Sequence, residues 1–181
     1  TGLRQSKFGV PIQEALELYR SMRALPYLDP VGVHAHIGSQ ITQVSPFQES
    51  VAKLVPLVHA LRQDGFDIQY LDIGGGIGIR YRDEGPPAPT DYANTLRPLL
   101  SALGCTVLME PGRFLVGNAG SLVTRVLYEK ANQDKKFLVV DGGMNDLIRP
   151  SLYNAYHTIL PVVQRANGYP EVTLDVVGPI C

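Results

Sequence analysis

The chain lacks an excess of charge of either sign. Sixteen basic residues stand against 17 acidic ones in 181, for a formal net charge of −1. That balance removes the electrostatic case for a nucleic-acid or anionic-membrane partner. Long apolar runs are missing too: none approaches the roughly 20 residues that a bilayer-spanning helix needs. Only two cysteines occur, Cys105 and Cys181. They do not make a disulfide framework, so the expected setting is reducing and cytoplasmic. The opening Thr1-Gly2-Leu3-Arg4 has neither an initiator methionine nor the pattern of a signal peptide. Cys181 falls directly after a run of strand formers and Gly178-Pro179-Ile180. Both ends are therefore expected to be cut ends.

At 45% hydrophobic and 18% charged, the chain can bury a sizeable core. Residues 11–25 read as a helix, with Pro11 in the first turn and Ile12, Ala15, Leu16, Leu18, Tyr19 and Met22 at helical spacing. Residues 31–37 read as a buried strand. A second helix is expected from Ser45 as its cap to about Asp64, stopped by Gly65. Residues 68–73 form the next strand, 82–89 a loop, 91–103 a third helix stopped by Gly104, and 106–109 a third strand. A short strand over 7–10 is a further candidate. Alternating strands and helices mean a parallel sheet with crossover connections.

After Arg113 the pattern changes. Strands are expected over 121–128, 137–140, 159–163 and 172–177, with little helix between them. The expected organisation is an α/β part over 1–118, followed over 119–181 by the beginning of a β-rich domain.

Polar and glycine motifs follow each α/β strand: His36 to Gln40, then Gly74-Gly75-Gly76, then Glu110 to Arg113. In an α/β barrel, function sits at the C-terminal ends of the strands. Each motif alone is ambiguous. The glycine run can cradle phosphate through its N–H groups, or simply make a tight turn; it fits neither the dinucleotide nor the Walker pattern. Glu110 and Arg113 can serve a protonated ring nitrogen and a substrate anion, or pair with each other. His34 and His36 suggest a metal pair, but too few further ligands are present, since His59 falls mid-helix and only His157 remains; the expectation is no metal. The loop from Asp141 to Tyr153 is either a polar ligand site or ordinary surface. Cys181 is either a small buried side chain or a reactive one.

Taken in order, the motifs are more specific. Ser6-Lys7-Phe8-Gly9-Val10, His36-Ile37-Gly38-Ser39-Gln40, Asp72-Ile73-Gly74-Gly75-Gly76, Glu110-Pro111-Gly112-Arg113, the stretch from Gly143 to Tyr153, and Gly178-Pro179-Ile180-Cys181 closely resemble the diaminopimelate branch of the ornithine, diaminopimelate and arginine decarboxylases. These are enzymes of the alanine-racemase-like fold type, dependent on pyridoxal 5'-phosphate (PLP). The resemblance covers essentially the whole chain.

It implies part of a PLP-binding (β/α)8 barrel followed by the start of a C-terminal β-domain. It implies decarboxylation of meso-2,6-diaminopimelate to L-lysine in a homodimer whose active sites are shared across the interface. His36 would stack on the cofactor ring. Ser39 and the N–H groups of Gly75, Gly76 and Gly112 would bind its phosphate, and Glu110 would hold the pyridine nitrogen protonated. Arg113, Arg149 and Tyr153 would grip the substrate carboxylates. Cys181 would act on the Cα side after carbon dioxide leaves, reaching the partner subunit's site.

The departure from the family pattern is the Schiff-base lysine. Lys7, Lys53, Lys130, Lys135 and Lys136 all stand outside the strand context in which relatives carry it. The chain is thus expected to be an internal piece that is inactive alone and prone to aggregate through open sheet edges. The alternatives are a decarboxylase of ornithine, arginine or lysine, and a non-catalytic homologue.

Overall fold

The computed structural model describes residues 7–163 and 172–180. The chain divides into two compact units, Thr1–Ala119 and Gly120–Cys181.

In the first unit, helix α1 spans Ile12–Met22, strand β1 Gly32–His34, helix α2 Ser45–Gln63 and strand β2 Tyr70–Gly75. Helix α3 follows over Pro89–Leu100, extended by a 3-10 turn over Ser101–Leu103. Strand β3 spans Thr106–Glu110 and the short helix α4 Gly112–Val116. The three strands form a parallel sheet in the order β1-β2-β3. This is the crossover pattern that the alternation of periods predicts.

Helix α2 shows why the helices cover one face. Phe47, Val51, Leu54, Val58 and Leu61 are all buried, and their spacing of four and three residues makes one apolar stripe. That stripe joins Val33, Leu71 and Ile73 from the sheet and Tyr92 and Leu96 from α3 in a single core cluster. Phe47 meets Tyr92 edge-on at 5.0 Å. Strand residues alternate between faces, so Gly32 and His34, Tyr70 and Asp72, and Thr106 and Leu108 share the opposite face. Arg62 joins the ends of three segments: it donates to the carbonyls of Ile68 and Leu103 and lies 3.1 Å from the Cys105 sulfur. Gly65 and Gly104 take positive φ after their helices, as expected of helix-ending glycines.

The α2 start differs from expectation. Val44 occupies the cap position with helical dihedrals, so Ser45 is already the first helical residue and makes no capping hydrogen bond. Residues 7–10 form no strand.

In the second unit, strand β4 (Val126–Asn132) pairs antiparallel with β5 (Lys135–Val140), and β5 pairs parallel with β6 (Asp175–Val177). A short helix α5 spans Arg149–Tyr153. Lys130, Lys135 and Lys136 therefore lie on a hairpin, with Gln133 and Asp134 at its turn. The first strand of this unit begins at 126, not 121, and the last at 175, not 172. Residues 159–163 form no strand. Ile159, Leu160, Val162 and Val163 are all largely exposed. Strand preference is mostly a preference for packing against neighbours, which this run lacks among the described residues.

Candidate active site

The motifs of the first unit meet at the C-terminal edge of its sheet. Strand β1 ends on His34, β2 on Gly75 and β3 on Glu110. A bulge between Asp72 and Gly75 brings Gly75 opposite Glu110.

The glycine triplet is the hub of this edge. A Cβ on Gly74 would lie 2.5 Å from the Ala35 carbonyl oxygen, one on Gly75 1.9 Å from that of Glu110, and one on Gly76 2.2 Å from that of Gly38. Three successive residues thus touch the loop after β1 on one side and the end of β3 on the other. Gly74 and Gly76 also have φ of +69° and +102°, values that side chains rarely adopt. Any side chain here would push the strand ends apart.

Hydrogen bonds fix the loops around this hub. The Gly75 N–H donates to His36 Nδ1 at 3.2 Å, and the Gly74 N–H to Asp72 Oδ1 at 2.8 Å. The bond to His36 orients the imidazole from the glycine backbone. Gln40 grips Ile79 twice, donating from Nε2 to the carbonyl at 2.6 Å and accepting from the N–H at 3.1 Å. Its Oε1 also accepts from Arg113 Nη1 at 3.1 Å. Among the described ion pairs, Glu110 meets His34 Nε2 at 3.5 Å. Glu110 and Arg113 therefore have separate partners.

His34 and His36 do not act as a pair. His34 groups instead with Asp72 and Glu110, whose ligand atoms all lie within 4.8 Å of one another. Exposed acidic groups often sit like this with no cation between them. Asp72 and Gln40 were visible in the sequence only as motif members. Their roles depend on strand register and on a loop contact 39 residues away, neither of which spacing reveals.

Gly112 opens α4, and a Cβ there would meet nothing within 4 Å. Ser39 is exposed on the loop after β1. The edge thus offers an imidazole, an exposed carboxylate, a hydroxyl and a glycine backbone open to approach. This donor set suits a planar, aromatic, phosphorylated group. The first unit brings no amine to it: Lys7 precedes α1 and Lys53 lies on α2. An apolar cavity of about 580 Å³ is lined by Ile73, Tyr92, Leu96, Val107 and Phe114 among others. Its lining is mostly hydrocarbon.

Residues 1–117 match the family described as pyridoxal-dependent decarboxylase, pyridoxal binding domain. The chain belongs to that family. It is 52% identical to diaminopimelate decarboxylase of Aquifex aeolicus over 182 residues, an alignment that spans all of this chain and 43% of the relative. The crystal structure of diaminopimelate decarboxylase from Helicobacter pylori, complexed with L-lysine, superposes with a TM-score of 0.89 at 43% identity, covering 100% of this chain and 44% of that one. Lysine decarboxylase from Selenomonas ruminantium superposes at 0.80 with 25% identity, over 98% of this chain and 46% of that one. The chain therefore spans less than half the length of these decarboxylases. Its α/β unit is part of a pyridoxal-binding barrel, followed by the start of a β-rich domain.

In the second unit, the Gly143 N–H donates to Asp146 Oδ2 at 2.8 Å, closing the turn before α5. Arg149 and Tyr153 are the two ends of α5, and Arg149 Nη1 lies 3.5 Å from His157 Nε2. Gly178 packs on this turn: a Cβ there would lie 2.2 Å from the Gly142 carbonyl oxygen. Two motifs far apart in sequence are thus neighbours in this unit. Cys181, expected to be catalytic, lies outside the described residues.

Proposed function

We propose that the protein carrying this chain is a PLP-dependent decarboxylase that converts meso-2,6-diaminopimelate to L-lysine and carbon dioxide. The observation that carries this reading is the convergence of His36, the glycine triplet and Glu110 on one sheet edge, in a chain 52% identical to a diaminopimelate decarboxylase. When bound, the cofactor supplies an electron sink for the pair left behind as carbon dioxide departs.

The chain's residues do the holding. Glu110 would serve the ring nitrogen and favour its protonated form. His36, held by the Gly75 N–H, would stack on the ring. Ser39 and the backbone of Gly75, Gly76 and Gly112 take the phosphate; the Gly75 N–H is shared with His36, so Gly76, Gly112 and the Ser39 hydroxyl carry most of that task. Arg113, steadied by Gln40, would take a substrate carboxylate; Arg149 and Tyr153 are assigned the same kind of task in the second unit. Cys181 would donate the proton that replaces the departed carboxylate at Cα. The amine that anchors the cofactor comes from outside these 181 residues. The working form is a homodimer in a reducing cytoplasm, with sites shared between subunits.

The test is carbon dioxide release by the full-length protein with PLP. Release from meso-diaminopimelate should greatly exceed release from L-lysine, L-ornithine or L-arginine. A preference for any of those three would contradict the substrate assignment.

A further inference from the structure

His34 has no part in the scheme above, yet it is the partner of the carboxylate at that scheme's centre. Its Nε2 lies 3.5 Å from Glu110 Oε2. It is the last residue of β1 and stands in register with Asp72 on the adjacent parallel strand. Asp72 is itself tied down by the Gly74 N–H at 2.8 Å. Glu110 is the last residue of β3, with a side chain 53% exposed. A carboxylate that open has several rotamers available, and only some present an oxygen to a ring at the strand ends.

We infer that His34 is a positioning residue, which holds one oxygen of Glu110 so that the other is presented to the pyridine nitrogen of the cofactor. The inference rests on the reading of Glu110 given above. An imidazole 3.5 Å from one oxygen disfavours the competing rotamers and leaves the second oxygen available as an acceptor. Asp72 backs the imidazole from the next strand. The logic is that of an outer partner orienting a working ligand, as in metal sites where the histidine or carboxylate is itself hydrogen-bonded.

The experiment uses the full-length holoenzyme loaded with PLP labelled with 15N in the ring, read by NMR, since the ring-nitrogen shift distinguishes pyridinium from neutral pyridine. The wild type should show pyridinium. His34→Ala should move the signal toward neutral pyridine and lower kcat by about tenfold to a hundredfold, the range for outer partners of a working ligand, with KM little changed. His34→Gln, which keeps a donor, should retain the pyridinium signal. If His34→Ala does not fold, His34→Leu fills the space without a donor and should behave as the alanine variant was expected to.

A pyridinium signal unchanged in His34→Ala or His34→Leu, while Glu110→Ala loses it, overturns the role of His34 alone. A signal unchanged in Glu110→Ala overturns the reading of Glu110, and this inference with it.

Discussion

In the first unit, α2 and α3 cover one face of the sheet, and apolar residues from Val33 to Leu103 form one buried cluster. In the second unit, Val140 is the only buried hydrophobic among the described residues, while Leu122, Val123, Leu127, Tyr128, Ile159 and Val162 are more than half exposed. Both units are rich in aliphatic residues, so composition does not separate them. What separates them is a covering layer. A βαβ unit carries its own cover, because each crossover helix lies on the sheet. Among its described residues, the β unit has three strands and one five-residue helix, and no covering layer. The same contrast explains which chemistry is assembled. The strand ends of the first unit are fixed by glycine contacts and hydrogen bonds, so its side chains have defined positions.

The first way to test the contrast is to disturb the covered face. Leu61 is fully buried in the core cluster, and Leu61→Ala should cost about 2–5 kcal/mol, measured by urea unfolding of the full-length protein. A cost below about 1 kcal/mol would mean that this core is not the structural centre of the unit.

The glycine hub comes next. Gly75→Ala would place a methyl group 1.9 Å from the Glu110 carbonyl oxygen. It should cost about 1–3 kcal/mol and weaken cofactor binding. Gly85 has nothing within 4 Å, so Gly85→Ala should leave both unchanged. Equal behaviour of the two variants in unfolding and PLP titrations would remove the hub from the account.

The contrast can also be sharpened by hydrogen exchange on the 181-residue chain. Amides of α2 and β2 should exchange slowly and those of β4 and β5 fast. The open edges should make the chain self-associate, visible in light scattering. A monodisperse, cooperatively folding chain would contradict this.

Smaller effects come with pH. Burial pushes the Tyr92 phenol from 10.0 up to about 12. Its folded value is raised, so its contribution is complete below pH 10 and is lost as pH rises toward 12. Tyr92→Phe keeps the ring against Phe47 and should flatten that alkaline loss in a thermal melt. The smallest expected change is at Asp64, where a hydrogen bond and the charge of Arg20 hold the carboxyl below its usual value of 3.8. Its folded value is lowered, so the contribution is present above that value and is lost as pH falls below it. Arg20→Met should remove that part of the acid dependence. The pair is exposed, so its effect on stability at neutral pH should be close to zero.

Much of this was legible in the residues. The α2 stripe follows from helical spacing, and the site motifs follow strands because three apolar runs end in glycine or a charged residue. Register was not legible. No spacing rule reveals that His34 lies beside Asp72, that the β2 bulge sets Gly75 against Glu110, or that Gln40 holds both Ile79 and Arg113. The β-rich end was the least legible. Residues 159–163 have the composition of a strand, but pairing decides strands, and no partner for them lies among the described residues.

The most direct measurement is a crystal structure of the full-length protein with PLP bound. The account predicts the ring nitrogen against Glu110, His36 on a ring face, and the phosphate among Ser39, Gly76 and Gly112. A cofactor bound away from this sheet edge, or a ring nitrogen facing any group other than Glu110, would contradict it.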